Sequence, residues 1–303
     1  MSGRHSKNDL ERTADDDVLH DLEDRWEEPS ASALRWHKDL DVRELDCDST
    51  PGWDGDREEA ERLIAAHATE LDDLQERLFA DGRTGGGRAV LLMLQGLDTA
   101  GKGGIVRHVI GLVDPQGVQH HAFGVPTEEE AKHDYLWRIR RALPKPGYIG
   151  VFDRSHNEQV LVVRVEGLEP EETWQKHYDE INAFEAEVAA AGTTIVKIAL
   201  IVSKDEQKAR LAERLERPDK YWKYNPGDLE TRAKFADYLD AYQDMLERTS
   251  TDVAPWHVVP ADKKWFARLA VTELVLSALR ALDLGWPPAE FDVEEQKKLL
   301  EEN

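Results

Sequence analysis

The stretch Ala89-Val90-Leu91-Leu92-Met93-Leu94-Gln95-Gly96-Leu97-Asp98-Thr99-Ala100-Gly101-Lys102-Gly103-Gly104 decides the fold. Residues 89–94 form a continuous apolar run, as expected of a strand buried on both faces of a parallel sheet. The Gly-x4-Gly-Lys pattern follows at once. It places residues without Cβ where the backbone must bend around phosphate, and a lysine where it can reach phosphoryl oxygens. A strand before such a loop and a helix after it make a phosphate-binding loop, with the helix N-terminus adding its dipole.

Outward from this loop, apolar positions at spacings of three and four predict an amphipathic helix over 56–80. Further strands are predicted at 118–123, 148–152, 194–202 and, more weakly, 256–259. Helices are predicted at 104–112, 127–143, 170–191, 204–215, 228–249 and 262–282. Strands alternating with helices imply an α/β fold, three layers α/β/α around a central parallel sheet. The segment 217–228 combines two prolines and a glycine with basic and aromatic residues, and reads as part of a helical lid at about 210–230. The charged stretch 1–30 reads as a flexible acidic tail, 31–285 as the phosphotransferase domain, and 286–303 as a C-terminal tail.

Charge restricts the partners. The chain has 62 acidic and 39 basic residues, a formal net charge of -23, and such a field repels DNA and RNA. A polyanionic substrate fits only if the cations are gathered into one groove. No apolar run approaches the roughly 20 residues that span a bilayer, and no secretory signal is visible at the N-terminus. With one cysteine, Cys47, these features fit a cytoplasmic protein.

The loop departs from its usual form. Gly103 stands where a Ser or Thr hydroxyl would bind Mg²⁺, and a carboxylate, Asp98, sits inside the loop. Asp153, at the end of the strand 148–152, reaches the carboxyl edge of the sheet where ligands bind in open α/β folds. Asp98 and Asp153 are thus the candidate Mg²⁺ ligands, which would turn repulsion of phosphate into attraction. The alternative is that Asp153 caps the next segment and Asp98 stabilises the turn. Lys102 and Arg154 are the candidate neutralisers of charge on the transferring group. His156 reads as a structural hydrogen-bonder, because a phosphate nucleophile is already anionic. Gly96, Thr99, Ala100, Gly101, Gly103 and Gly104 cradle phosphate. Arg107, Arg138, Arg210, Arg214, Lys220 and Lys223, with Arg217, are the candidate cations of the groove. Trp222 is expected to pack on its own element rather than stack on a base.

The ordered motifs GLDTAGKGG (96–104), DPQG (114–117), LWRI (136–139), FDRSHNEQVLVVRV (152–165), EQKARLAERLERPDKYWKYNPGD (206–228), APW (254–256) and PADKKW (260–265) resemble the polyphosphate kinase 2 family. The likeness runs from about residue 40 to 282. STPGWDGD (49–56) and the segment 113–130 look most like its class III members. Asp153, where such relatives often carry Asn, and Asn157, where they carry Tyr, depart from that class. The resemblance implies a P-loop kinase fold with a helical lid, Mg²⁺ dependence and a homodimer or homotetramer. It also implies reversible transfer of the terminal phosphoryl group of inorganic polyphosphate to AMP or ADP. It places Asp98 and Lys102 in the Walker A loop, Asp153 and Arg154 in the Walker B segment, Arg138 on the helix before the second loop, and Arg214 and Lys223 in the lid. Two other readings share these residues: an ATP-dependent nucleoside monophosphate kinase, and a non-catalytic binder of polyphosphate or nucleotide.

Overall fold

A computed structural model describes residues 18–302. Five parallel strands form one sheet in the order β2-β3-β1-β4-β5: β1 (Ala89–Gly96), β2 (Val118–Ala122), β3 (Ile149–Asp153), β4 (Thr193–Ile201) and β5 (Trp256–Pro260). Every residue of β1 is buried, as the central position of a doubly covered sheet requires. Alternation assigns its faces: Val90, Leu92 and Leu94 join one core cluster, and Leu91 and Met93 another.

The first face is covered by α1 (Arg57–Arg83), α2 (Lys102–His108) and α7 (Lys264–Ala281), the second by α3 (Tyr135–Ala142), α4 (Glu171–Ala190) and α6 (Phe235–Thr249). The three-layer α/β/α architecture is thereby established. Among the described residues, no helix is long and apolar enough to cross a membrane.

Several element bounds differ from the sequence reading. Helix α1 runs on to Arg83 through the expected break at residue 81. Gly82 there packs so closely on Pro146 and Gly147 that a Cβ would lie 2.5 Å from their atoms. The helix predicted over 127–143 forms only from Tyr135, because Asp134 accepts from the Leu136 amide and caps it. The helix predicted over 228–249 is interrupted at Lys234 into Asp228–Ala233 and α6.

Of the tail expected at 1–30, residues 1–17 lie outside the described residues. Residues 18–30 are packed rather than free: Leu22 is buried, Trp26 lies edge-on to Trp53, and the Glu27 amide donates to the Gly52 carbonyl. Leu19, Leu22 and Trp26 recur at helical spacing, which brings them onto the α1 and α7 core. The segment 286–303 carries an exposed helix, α8 (Val293–Glu301).

Candidate active site

The site lies at the carboxyl ends of β1 and β3, beside the point where the strand order reverses. Gly96 ends β1 where a Cβ would lie 2.9 Å from both the Ala100 Cβ and the Leu200 carbonyl, so only glycine lets the loop fold this tightly. Gly101 has φ +116°, in the left-handed region where side chains are strained. The loop then enters α2, with Lys102 at its first position. The Lys102 ammonium donates to the carbonyls of Gly96 at 2.7 Å and Leu97 at 3.5 Å. Burial, then the nearby Arg154 guanidinium, lower its pKa, while Asp153 and Asp98 pull it up.

Arg154 follows Asp153 with φ +66°, unusual for a residue with a side chain. Such a conformation costs on the order of 1–3 kcal/mol and persists only where its surroundings fix it. Here the Arg154 amide donates to the Leu94 carbonyl, and its guanidinium donates to Asp98 Oδ1 at 2.9 Å and Glu158 Oε2 at 3.0 Å. The other oxygen of Glu158 accepts from Gln95 Nε2 at 2.8 Å, and Ser155 Oγ donates to Gln95 Oε1. A chain of polar side chains thus fixes the arginine against the end of β1. Glu158 above all raises the Arg154 pKa further, so the guanidinium is permanently charged.

Asp98 and Asp153 both face a cavity of about 700 Å³ that extends from the loop to the lid and to α7. Its lining carries nine lysines and arginines, Lys102, Arg107, Arg154, Arg210, Arg214, Lys220, Lys223, Lys264 and Arg268, against four carboxylates, Asp98, Asp153, Glu213 and Asp228. This concentrates positive charge in a chain of net charge -23. Arg107, Lys264 and Arg268 make no hydrogen bond or ion pair within the described residues, so their charge is available to a ligand. Lys264 and Arg268 on α7 were not singled out from sequence, because a basic residue on a helix reads as a solvated charge until the partner surface is known.

The remaining expected groove residues divide. Thr99, Ala100, Gly103 and Gly104 line the cavity with Gly101, while Gly96 lines a smaller cavity instead. Arg214 links α5 (Lys204–Glu216) to the lid, donating to the Lys223 carbonyl at 2.9 Å and to Asp228 at 3.3 Å. Lys220 pairs with Glu213, and Arg217 with Glu213 and Asp219. Trp222 is 79% exposed at the cavity wall, its indole donating to the Asp219 carbonyl and its ring lying beneath Lys223.

Two residues depart from the expectation. Arg138 does not line the cavity: it donates to the Gly124 carbonyl and lies over the Phe123 ring. Arg210 is 5% exposed, and all five of its donors are taken. They serve Glu206 Oε1, the carbonyls of Thr99 and Ala100 in the loop, and those of Ala261 and Asp262 after β5. No donor is left for phosphate, and Arg210 instead clamps the loop from behind.

His156 is buried, its Nε2 3.0 Å from Glu185 Oε1. Glu185 also accepts at 2.6 Å from Lys197 of β4, whose ammonium donates in addition to the Thr249 carbonyl and lies over the Trp256 ring. His156 thus has the structural role expected of it.

The residues present fit Mg²⁺. The Asp153 carboxylate makes no hydrogen bond or ion pair within the described residues, and Asp98 faces the same cavity from the adjoining strand end. The described residues contain no group of three or more side chains that could hold a metal by themselves. Two carboxylates completed by water and substrate phosphate oxygens are the donor set Mg²⁺ prefers.

A family model for polyphosphate kinase 2 matches residues 54–284. The AMP/ADP-polyphosphate phosphotransferase of Meiothermus ruber is 42% identical over 83% of this chain and 92% of its own length. The ADP-polyphosphate phosphotransferase of Rhodopseudomonas palustris is 40% identical over 81% of this chain and 87% of its own. The crystal structure of polyphosphate kinase 2 from Arthrobacter aurescens superposes with a TM-score of 0.89 at 50% identity, covering 92% of this chain and 98% of that one. Site geometry, motif order and these likenesses agree that the chain belongs to the polyphosphate kinase 2 family.

Proposed function

We propose that this protein transfers the terminal phosphoryl group of inorganic polyphosphate to AMP or ADP, reversibly and with Mg²⁺. The observation that carries the reading is a groove whose lysines and arginines outnumber its carboxylates nine to four in a strongly acidic chain. It offers more positive charge than the phosphates of a mononucleotide require. The names of the relatives from Meiothermus ruber and Rhodopseudomonas palustris support the same activity.

Polyphosphate lies along the groove with its end at the loop, held by the free charges of Arg107, Lys264 and Arg268 and covered by Lys220 and Lys223 of the lid. A terminal phosphate oxygen of the nucleotide attacks the end phosphorus in line. The bond to the bridging oxygen breaks, the polyphosphate leaves shorter by one unit, and the nucleotide gains that unit. Arg154, rigid and permanently charged, neutralises charge on the phosphoryl group in transit. Lys102 acts on the same group from the loop. Because the nucleophile is already an anion, positioning and charge neutralisation supply the rate and no strong base is needed. Asp98 and Asp153 would hold Mg²⁺, which would add charge neutralisation of its own.

Assembly as a homodimer or homotetramer and a cytoplasmic location belong to the same reading, and sedimentation velocity tests the first. The activity is tested by offering AMP or ADP with long-chain polyphosphate or with ATP as donor, with and without excess EDTA. Product from polyphosphate that disappears with EDTA is expected. Product from ATP alone would turn the reading into that of an ATP-dependent nucleoside monophosphate kinase. Binding without product would turn it into that of a storage or sensing protein.

A further inference from the structure

A carboxylate in a groove that receives phosphates opposes its own ligand, so each of the four in this cavity calls for a reason. Asp98 and Asp153 have one in Mg²⁺. Asp228 has one in the lid: it is buried, stands at the start of the helix 228–233 and accepts from Arg214. Glu213 remains. It lies on α5 with its side chain 38% exposed, and it faces the same cavity.

The surroundings of Glu213 are cationic. Its Oε1 accepts from Lys220 Nζ at 2.5 Å and from Arg217 at 3.2 Å. Lys220 above all, with the charges of Lys264 and Arg217, holds the Glu213 carboxyl below its ordinary pKa although burial opposes the shift, so the group is an anion at neutral pH. Lys220 and Lys264 line the cavity beside it. Lysines and an arginine around one anion are an arrangement suited to a phosphate, and here the protein's own carboxylate fills it. Partly exposed ion pairs of this kind are weak. A ligand with charge on every unit can take over Lys220 and Lys264 while it gains Arg107 and Arg268 along the same groove. A lone phosphate brings too little charge to make that exchange.

We infer that Glu213 is an internal counter-anion of the donor groove, which a polyphosphate chain displaces from Lys220 and Lys264 and a lone phosphate does not. The inference rests on the phosphotransferase reading above. Glu213 then sets the groove's preference for a chain over the single phosphates that would otherwise occupy it.

The sign of one substitution tests this. Glu213→Gln keeps the shape of the side chain and removes its charge. Binding of long-chain polyphosphate is measured by titration calorimetry without nucleotide, at fixed salt and Mg²⁺, and again with inorganic phosphate as competitor. Loss of a weak competing ion pair predicts polyphosphate binding tighter by about two- to fivefold, and inorganic phosphate should compete better than it does against the parent. An ion pair that merely braced the lid would give the opposite sign, because a loosened lid binds more weakly. Asp219→Asn is the control. It removes the same charge from the same turn, but Asp219 pairs with Arg217 outside the cavity lining, so binding should change much less.

Unchanged or weaker polyphosphate binding in Glu213→Gln, equal tightening in Asp219→Asn, or no gain for inorganic phosphate would each overturn the inference. If the parent binds polyphosphate and transfers from it while Glu213→Gln binds no tighter, the inference fails alone. A parent that neither binds polyphosphate nor transfers from it overturns the phosphotransferase reading, and the inference falls with it.

Discussion

Replacing Arg210 by Met separates a clamp from a ligand. Met retains an unbranched apolar side chain but deletes five donors, leaving the carbonyls of Thr99, Ala100, Ala261 and Asp262 and the Glu206 carboxylate without their partner. Bonds from a charged donor contribute roughly 1.5–3 kcal/mol each, but they are not additive and the arginine regains its hydration on unfolding. Breaking a buried charged constellation from one side costs about 3–5 kcal/mol, and that is the loss expected for Arg210→Met. At roughly 2–4 °C per kcal/mol for a large domain, Tm should fall by about 6–20 °C. The assay is a thermal melt beside steady-state kinetics with both substrates. Because the clamp fixes the loop that carries Asp98 and Lys102, kcat should fall too. Arg210→Lys should behave nearly as badly, since one ammonium cannot span acceptors arranged for a planar fork. A Tm within about 2 °C of the parent, together with a large rise in polyphosphate KM, would refute the clamp and make Arg210 a direct phosphate ligand.

Further outcomes follow from the same geometry. Arg154→Ala should lower kcat by about 10³-fold or more, the scale of a transition-state guanidinium in phosphoryl transfer, with a smaller change in substrate affinity; stopped assays over long incubations measure it. A loss confined to KM would mean that Arg154 only binds. Burial lowers the pKa of His257 from its ordinary 6.5 to about 4. The unfolded chain therefore binds the extra proton first, and stability present above pH 6.5 is lost as pH falls toward 4, by an amount on the order of 3 kcal/mol. Urea midpoints between pH 7.5 and 4.5 should fall less steeply in His257→Gln. Burial, with Asp262 and Asp46 adding to it, pushes the Cys47 thiol up to about 12. It should react with a disulfide reagent at pH 8 only as fast as the protein opens, whereas rapid stoichiometric labelling would contradict its burial.

The sheet was legible because parallel strands covered on both faces carry unbroken apolar runs, as residues 89–94 and 194–202 do. The loop was legible because the Gly-x4-Gly-Lys spacing has a mechanical reason. Helix bounds were less so: α3 starts late because Asp134 caps it, and nothing in the apolar spacing of 127–143 separates a capped helix from a longer one. The division of the cations was illegible. Arg210 and Arg214 lie four residues apart on one helix, yet one clamps the loop and the other reaches the lid. Only the positions of the Thr99 and Ala261 carbonyls, brought together by the fold, distinguish them. Lys197, in the middle of an otherwise apolar strand, was an available signal of a buried ion pair, and Glu158, four residues after Arg154, a weaker one.

Phosphorus-31 NMR of the protein with Mg²⁺, AMP and long-chain polyphosphate measures the transfer most directly. The account predicts a new nucleotide β-phosphate resonance that grows in step with the loss of internal polyphosphate units, and its reversal when ADP is supplied with a short chain. A spectrum in which polyphosphate persists unchanged while added ATP is consumed to phosphorylate AMP would contradict it.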